Sequence, residues 1–262
     1  MSAVGVSIGP FSDAASEREI KALLQRFEYI SLRDRASYDI AQSFDLECPV
    51  VMAGDLAGLM SRYYPAPRGH KHSQPRAAKK IAFSPCNLPE NPAKGLGYCN
   101  EFVKAITSLK GDVPLEVVLL NLNGHSVQGD RVLCEYTRER LQTECRLNAQ
   151  IINYSNVGVL GIWRIIAELD SYISVRLHGA ISAFLLDVPF SLFEYHPKCS
   201  EFLVNIQKEH KLRLSEGGRV LRNIIIEHFE RKEDLSEMVN YYSNAATLNF
   251  SNAPWAIKQK KN

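Results

Sequence analysis

The chain has 262 residues, 45% of them hydrophobic and 23% charged, which places it among ordinary globular proteins and excludes a disordered or fibrous chain. Lys+Arg 31 against Asp+Glu 29 leaves a net charge of +2. That balance argues against a nucleic-acid partner for the chain as a whole, so any anion site must be local.

The first elements follow in order. Val4–Ile8 reads as a strand closed by Gly9 and Pro10. A helix follows, with Ser16 and Glu19 at capping-box spacing and Ile20, Leu23, Leu24 and Phe27 on one face. A strand at Tyr29–Leu32 runs into Arg33 and Asp34, a short helix covers Ser37–Ser43, and a third strand spans Pro49–Met52. This β-α-β-α-β order predicts a parallel sheet with crossover helices.

From Leu56 to Pro89 no acidic residue occurs, while Arg62, Arg68, Lys71, Arg76, Lys79 and Lys80 are basic. Residues 61–80, punctuated by Pro65, Pro67, Gly69 and Pro75, read as a basic interdomain linker. It is either a solvated tether or a lip over an anionic ligand. The domain expectation is thus a partial first domain over 1–60, the linker, and a second domain over 81–262.

Past the linker the strand–helix alternation strengthens. Ile81–Ser84 is a strand, 85–97 a Pro-, Asn- and Gly-rich loop, and Phe102, Val103, Ile106 and Leu109 mark a helix. Leu115–Leu120, apolar but for Glu116, reads as a strand covered on both faces. A loop over 121–130 precedes a helix with Val132, Leu133, Tyr136 and Leu141 on one face. Then come a strand at Ile151–Ile152, a helix over 159–169, a strand at Tyr172–Val175, a helix from His178 to Leu186 and a strand at Pro189–Phe193. The rest, from Lys198, reads as helical, with an amphipathic stretch over Val220–Phe229.

The cysteines (48, 86, 99, 134, 145 and 199) form no CxxC or CxxxC pair. They therefore offer no zinc or redox motif and read as thiols of a reducing compartment. The start, MSAVGVSIGPF, lacks the basic and long apolar regions of a signal peptide, and no apolar run reaches the ~18 residues of a membrane span. A cytoplasmic protein is expected.

In parallel sheets ligands bind beyond the carboxyl ends of the strands, which makes the strand-to-helix junctions the candidate sites. Ser174–Ala180 (S-V-R-L-H-G-A) is the strongest of these. Arg176 could grip a phosphate or carboxylate in two hydrogen bonds at a helix N-terminus. His178 could donate to the same anion or act as acid or base. The alternative is a structural ion pair and a histidine that caps a turn. As a cleft-facing arginine, Arg176 should contribute binding rather than packing, so Arg176→Ala should abolish turnover with little loss of stability. At Glu194–Lys198 (E-Y-H-P-K), Pro197 could open a helix with Lys198 on its first turn; a surface lysine is the alternative. At Ser31–Ser37, Arg33 could face the cleft with Asp34 fixing it, or Asp34 could be a helix N-cap.

The order I-S-x-R-D-x-x-S, an Asp beyond a short strand (Asp55), R-L-H-x-A-I, then P-x-x-x-x-x-Y-x-P-K resembles the polysaccharide pyruvyl transferase family over about residues 4–60 and 81–210. The resemblance implies an enzyme that moves a pyruvyl group from phosphoenolpyruvate to two hydroxyls of a saccharide, leaving a cyclic ketal, in cell-surface or exopolysaccharide biosynthesis. The acceptor would be free or lipid-linked. It implies a glycosyltransferase-B-like α/β fold of two Rossmann-like parallel-sheet domains with the site in the cleft between them. Family members usually carry an Asn-x-Gly-Asp turn well before the segment that opens here, so the N-terminal domain is expected to be incomplete. Carried residue by residue, Arg176 and His178 are catalytic, and Arg33, Arg176, His178 and Lys198 bind phosphoenolpyruvate. Asp55, Asn87, Asp130, Tyr195 and His196 are acceptor-contacting or structural. No cofactor and no metal are expected. The rival readings are a nucleotide-sugar enzyme of glycosyltransferase-B type, with Glu194 holding the ribose, and an inactive, truncated anion-binding module.

Overall fold

The structure, a computed structural model, describes residues 1–65, 77–207, 213–214, 218–230, 234–251 and 253–255. The chain forms two compact units, Met1–Pro65 with Ser236–Asn262, and Ala66–Leu235.

In the first unit β1 (Ser2–Val6), β2 (Tyr29–Leu32) and β3 (Val50–Met52) form a parallel sheet in that order. The crossovers are α1 (Ala14–Leu24) and α2 (Arg35–Gln42). Asp13, not Ser16, caps α1, its Oδ1 accepting the Ser16 N–H at 2.7 Å. The strand period of two sends Ile30 and Leu32 into a core with Leu24, Ala41 and Phe44, while Tyr29 and Ser31 point to the other face. A 3-10 turn (Leu56–Leu59) and the short helix α3 (Met60–Tyr63) follow β3.

The second unit holds six parallel strands: β4 (Lys79–Ser84), β5 (Leu115–Asn121), β6 (Gln150–Asn153), β7 (Ser171–Ser174), β8 (Phe190–Phe193) and β9 (Arg213–Leu214). Their order is β6-β5-β4-β7-β8-β9, a doubly wound sheet whose direction of winding reverses between β4 and β7. The helices are α4 (Pro92–Leu109), α5 (Arg131–Cys145), α6 (Tyr154–Ala167), α7 (Leu177–Leu185), α8 (Pro197–Asn205) and α9 (Gly218–Glu230). On one face Phe102 and Ile106 of α4, Leu141 of α5 and Ile225 of α9 close over Phe83 and Leu119 of the sheet. Phe83 and Phe102 stack at 4.5 Å. Each such large side chain contributes roughly 1.5–3 kcal/mol on burial. On the other face Phe202 of α8 meets Phe184 of α7 and Phe190 of β8.

Several expectations are corrected. Helix α4 begins inside the expected 85–97 loop, because Asn91 caps it (Oδ1 to the Lys94 N–H, 3.1 Å) and Pro92 suits its first turn. Val132 does not share the buried face of α5 but is 74% exposed. Helix α6 opens at Tyr154 and ends at Ala167 rather than 169, but Gly158, whose φ of 67° is left-handed, breaks it, so its regular part starts at Val159 as expected.

The domain boundaries also change. Residues 61–63 continue α3 and 79–80 open β4, so both ends of the expected linker have regular structure; its middle, 66–76, lies outside the described residues. The second unit ends at Leu235 rather than 262, because the last helix, α10 (Ser236–Ser251), packs on the first sheet. Asn249 accepts from Ser31 Oγ at 2.6 Å and donates to the Gly54 carbonyl at 2.8 Å, and the Tyr29 hydroxyl donates to the Asn249 carbonyl at 2.9 Å. Only glycine at 58 permits this approach: a Cβ there would stand 2.9 Å from the Ala246 Cβ.

Candidate functional site at the switch point of the second sheet

Strands β4 and β7 lie side by side where the winding reverses, and the carboxyl ends of such a pair, after Ser84 and Ser174, are where sheets of this order bind ligands. Arg176 stands there as the N-cap residue of α7. Its Nε and Nη2 donate to the Asp130 carboxylate at 2.8 and 2.5 Å. Asp130 ends the loop after β5, is completely buried, and also accepts the Asn87 N–H at 2.9 Å. One carboxylate thus ties together the junctions after β4, β5 and β7. Burial works against the Arg176 charge, but the hydrogen bonds and charge of Asp130 outweigh it, and the guanidinium is held above its ordinary range. Among the described residues its Nη1 has no protein partner, which leaves a pair of N–H donors for a ligand.

A polar layer below fixes the start of α7. Ser84 Oγ lies 2.5 Å from the Tyr172 hydroxyl and 2.9 Å from Ser174 Oγ, and Ser174 donates to the Arg176 carbonyl at 2.6 Å. Burial pushes the Tyr172 hydroxyl up to about 12, so it stays a neutral hydrogen-bonding group. Gly179 is required here, because a Cβ would lie 2.3 Å from that hydroxyl. His178 is exposed on the same first turn.

Strand β8 brings a second cation to the carboxyl end of the sheet. Pro197 occupies the first turn of α8, and His196 is its cap, with Nδ1 accepting the Lys198 N–H at 3.3 Å. Lys198 Nζ stands 5.3 Å from the centre of the Tyr195 ring, a cation–π contact. The Tyr195 hydroxyl is driven well up, first by burial and then by Cys86 and Cys199, with Arg176 opposing. The Cys86 thiol is raised by burial and opposed by Arg176, and the Lys198 charge also acts on it. Arg176, Tyr195, Lys198 and Cys86 therefore form one neighbourhood. Sequence reasoning passed over Cys86; its place directly after the first strand of the sheet was the available signal.

Arg33 and Asp55 belong to the first unit and form their own pair, Nη1 to Oδ2 at 2.7 Å. Arg33 Nε also donates to Ser7 Oγ at 2.7 Å. Asp34 does not fix Arg33 directly. It caps α2, accepting the Ser37 N–H at 2.7 Å and the Ser7 hydroxyl at 2.6 Å, so the N-cap alternative holds. Asp55 caps the 3-10 turn through the Ala57 N–H at 2.9 Å.

Among the described residues no group of three His, Cys, Asp or Glu side chains could hold a metal ion, and no helix is long and apolar enough to cross a membrane.

Two parallel α/β sheets, the second wound in Rossmann order, give the chain a glycosyltransferase-B-like fold. The profile described as polysaccharide pyruvyl transferase matches residues 2–197, and the chain belongs to that family. Among solved structures it is similar to a UDP-GlcNAc 2-epimerase from Neisseria meningitidis, with a TM-score of 0.57 and 12% identity over 99% of this chain and 68% of that one. It is also similar to a UDP-N-acetylglucosamine 2-epimerase from Listeria monocytogenes (0.58, 10%, 92% and 61%) and to TarM (0.52, 13%, 99% and 48%). The chain thus spans about half to two thirds of the length of these structures, and at such identities the likeness is one of fold. No curated protein sequence matches it.

Proposed function

We propose that the protein transfers a pyruvyl group from phosphoenolpyruvate to two hydroxyls of a saccharide, free or lipid-linked, giving a cyclic ketal and inorganic phosphate. Family membership supports a transferase that modifies a polysaccharide. The observation that carries the donor is Arg176, held by Asp130 at the switch point with its Nη1 donors unspent among the described residues and Lys198 in the same neighbourhood. Phosphoenolpyruvate carries roughly −2.5 to −3 charges near neutral pH. Asp130 offsets one positive charge, so Lys198 and the N–H groups opening α7 must supply much of the attraction.

In this reading a proton adds to the methylene carbon while a sugar hydroxyl oxygen bonds to the neighbouring carbon and gives up its own proton. The bond to the phosphate oxygen breaks and inorganic phosphate leaves. A second hydroxyl closes the ring, and its proton passes to phosphate or solvent. His178 is the group assigned to carry the proton or to bind the phosphate. The chemistry calls for no metal or nucleotide cofactor.

The test is incubation of the full chain with phosphoenolpyruvate and an oligosaccharide. Phosphate release and a ketal-bound pyruvate seen by mass spectrometry are expected, with Lys198→Ala lowering turnover about 100-fold, as loss of one charge-stabilising donor does. Failure to bind phosphoenolpyruvate at millimolar concentration overturns the proposal, and binding of a UDP-sugar in its place favours the nucleotide-sugar reading.

A further inference from the structure

The loop between β5 and α5 is held by its own polar groups. His125 Nδ1 accepts two backbone hydrogen bonds, from the Val127 N–H at 3.2 Å and the Gln128 N–H at 3.0 Å. An accepting Nδ1 turns its lone pair, rather than a proton, toward the two N–H groups. Bonds to the second and third N–H groups downstream are what an Asn or Asp makes at a turn or helix cap. Asn123 completes the frame. Its Oδ1 accepts the His125 N–H at 3.1 Å, its Nδ2 donates to the Gln128 carbonyl at 3.1 Å, and its carbonyl accepts the Asp130 N–H at 3.1 Å.

This frame ends on the carboxylate that grips Arg176. Apolar packing does little for the middle of the loop, since residues 124–128 are exposed and Val127 is 81% exposed. Gly129 marks how tightly the loop closes, for a Cβ there would lie 2.2 Å from the His125 carbonyl oxygen. Asp130 in turn bonds the Asn87 N–H and both donating nitrogens of Arg176. A shift of the loop therefore moves the carboxylate and, with it, the direction of the Arg176 Nη1 donors.

We infer that His125 is a positioning residue. Its Nδ1, in the role of an Asn or Asp side-chain oxygen, closes the 123–129 loop and so sets the Asp130–Arg176 pair toward an anionic ligand. The inference rests on the proposed function only where Arg176 meets phosphoenolpyruvate.

The test uses the full chain with His125→Ala and His125→Asn. In His125→Ala the Val127, Gln128 and Asp130 amides should exchange faster, and phosphoenolpyruvate should bind about two- to tenfold more weakly, the range set by one or two hydrogen bonds. His125→Asn should restore both, since its Oδ1 can take the same two N–H groups. Nitrogen NMR of the wild type should show an unprotonated Nδ1. Unchanged exchange at Asp130 in His125→Ala, a protonated Nδ1, or an Asn variant no better than Ala would each overturn the inference. If the wild type binds no phosphoenolpyruvate, the proposed function fails while the exchange and NMR results still decide the role of His125.

Discussion

Arg176 reaches Asp130 with two nitrogens, at 2.8 and 2.5 Å, and Asp130 is completely buried while the arginine side chain remains 24% exposed. A pair of this kind is structural, whatever it binds. Removing the arginine strands a carboxylate away from water, which costs more than the lost attraction.

Arg176→Ala should therefore destabilise the protein by about 3 kcal/mol in addition to abolishing ligand binding. This replaces the sequence-based expectation of a stable, inactive variant. Adding Asp130→Asn to Arg176→Ala removes the stranded charge and should recover part of the loss, a coupling between neighbours that a double-mutant cycle measures. Urea midpoints of the four proteins give the answer, and additive losses would show that the pair is not coupled.

Gly179→Ala should cost about 1–3 kcal/mol, because the new methyl must displace the Tyr172 hydroxyl at 2.3 Å or Ser174 Oγ at 2.8 Å. In a Tyr172→Phe background the nearer obstacle is gone. The same substitution should then cost measurably less, which thermal unfolding of the four combinations would reveal.

Much of this architecture was legible in the sequence. The apolar run Val117–Leu120 marks a strand covered on both faces, and the R-L-H and Y-H-P-K segments mark polar residues delivered at strand ends. Asp130 as the partner of Arg176 was not legible as such. The two stand 46 residues apart and meet only because β5, β4 and β7 are neighbours in the sheet. Its Gln-Gly-Asp context reads like any turn. The return of α10 to the first unit was hidden for another reason. Its buried face carries Ser243, Ala246 and Asn249 beside Tyr242, mostly small or polar groups that suit close approach to Gly54 and Gly58 and leave little hydrophobic periodicity. Strand β9, two residues long, is too short to carry any pattern.

Asn249→Ala should weaken the first unit by about 2–4 kcal/mol, since the Ser31 hydroxyl and the Gly54 carbonyl lose their partner. The two tryptophans make the effect assignable. Trp255 stands edge-on to Tyr29 at 5.6 Å in the first unit, and Trp163 is buried in α6 of the second. In a Trp163→Phe background, fluorescence then follows the first unit alone, and its urea midpoint should fall on Asn249→Ala. A midpoint that stays put would mean that Asn249 does not anchor α10.

The buried thiols predict how stability changes in alkali. Burial pushes Cys99 and Cys199 from 9.0 up to about 11. In the unfolded chain both lose their protons near 9, while the folded chain keeps them until about 11. Between these values the unfolded state binds fewer protons, so stability falls as pH rises. The contribution is complete below pH 9 and gone above 11, and two units correspond to about 3 kcal/mol per thiol. Urea midpoints at pH 8 and pH 10.5 should therefore differ strongly in the wild type and less in Cys99→Ala, whatever the variant's absolute stability. The comparison of slopes isolates the thiol from the cavity that the substitution creates. Equal slopes would mean that Cys99 titrates alike in both states, and that its burial on the inner face of α4 does not hold the proton in place.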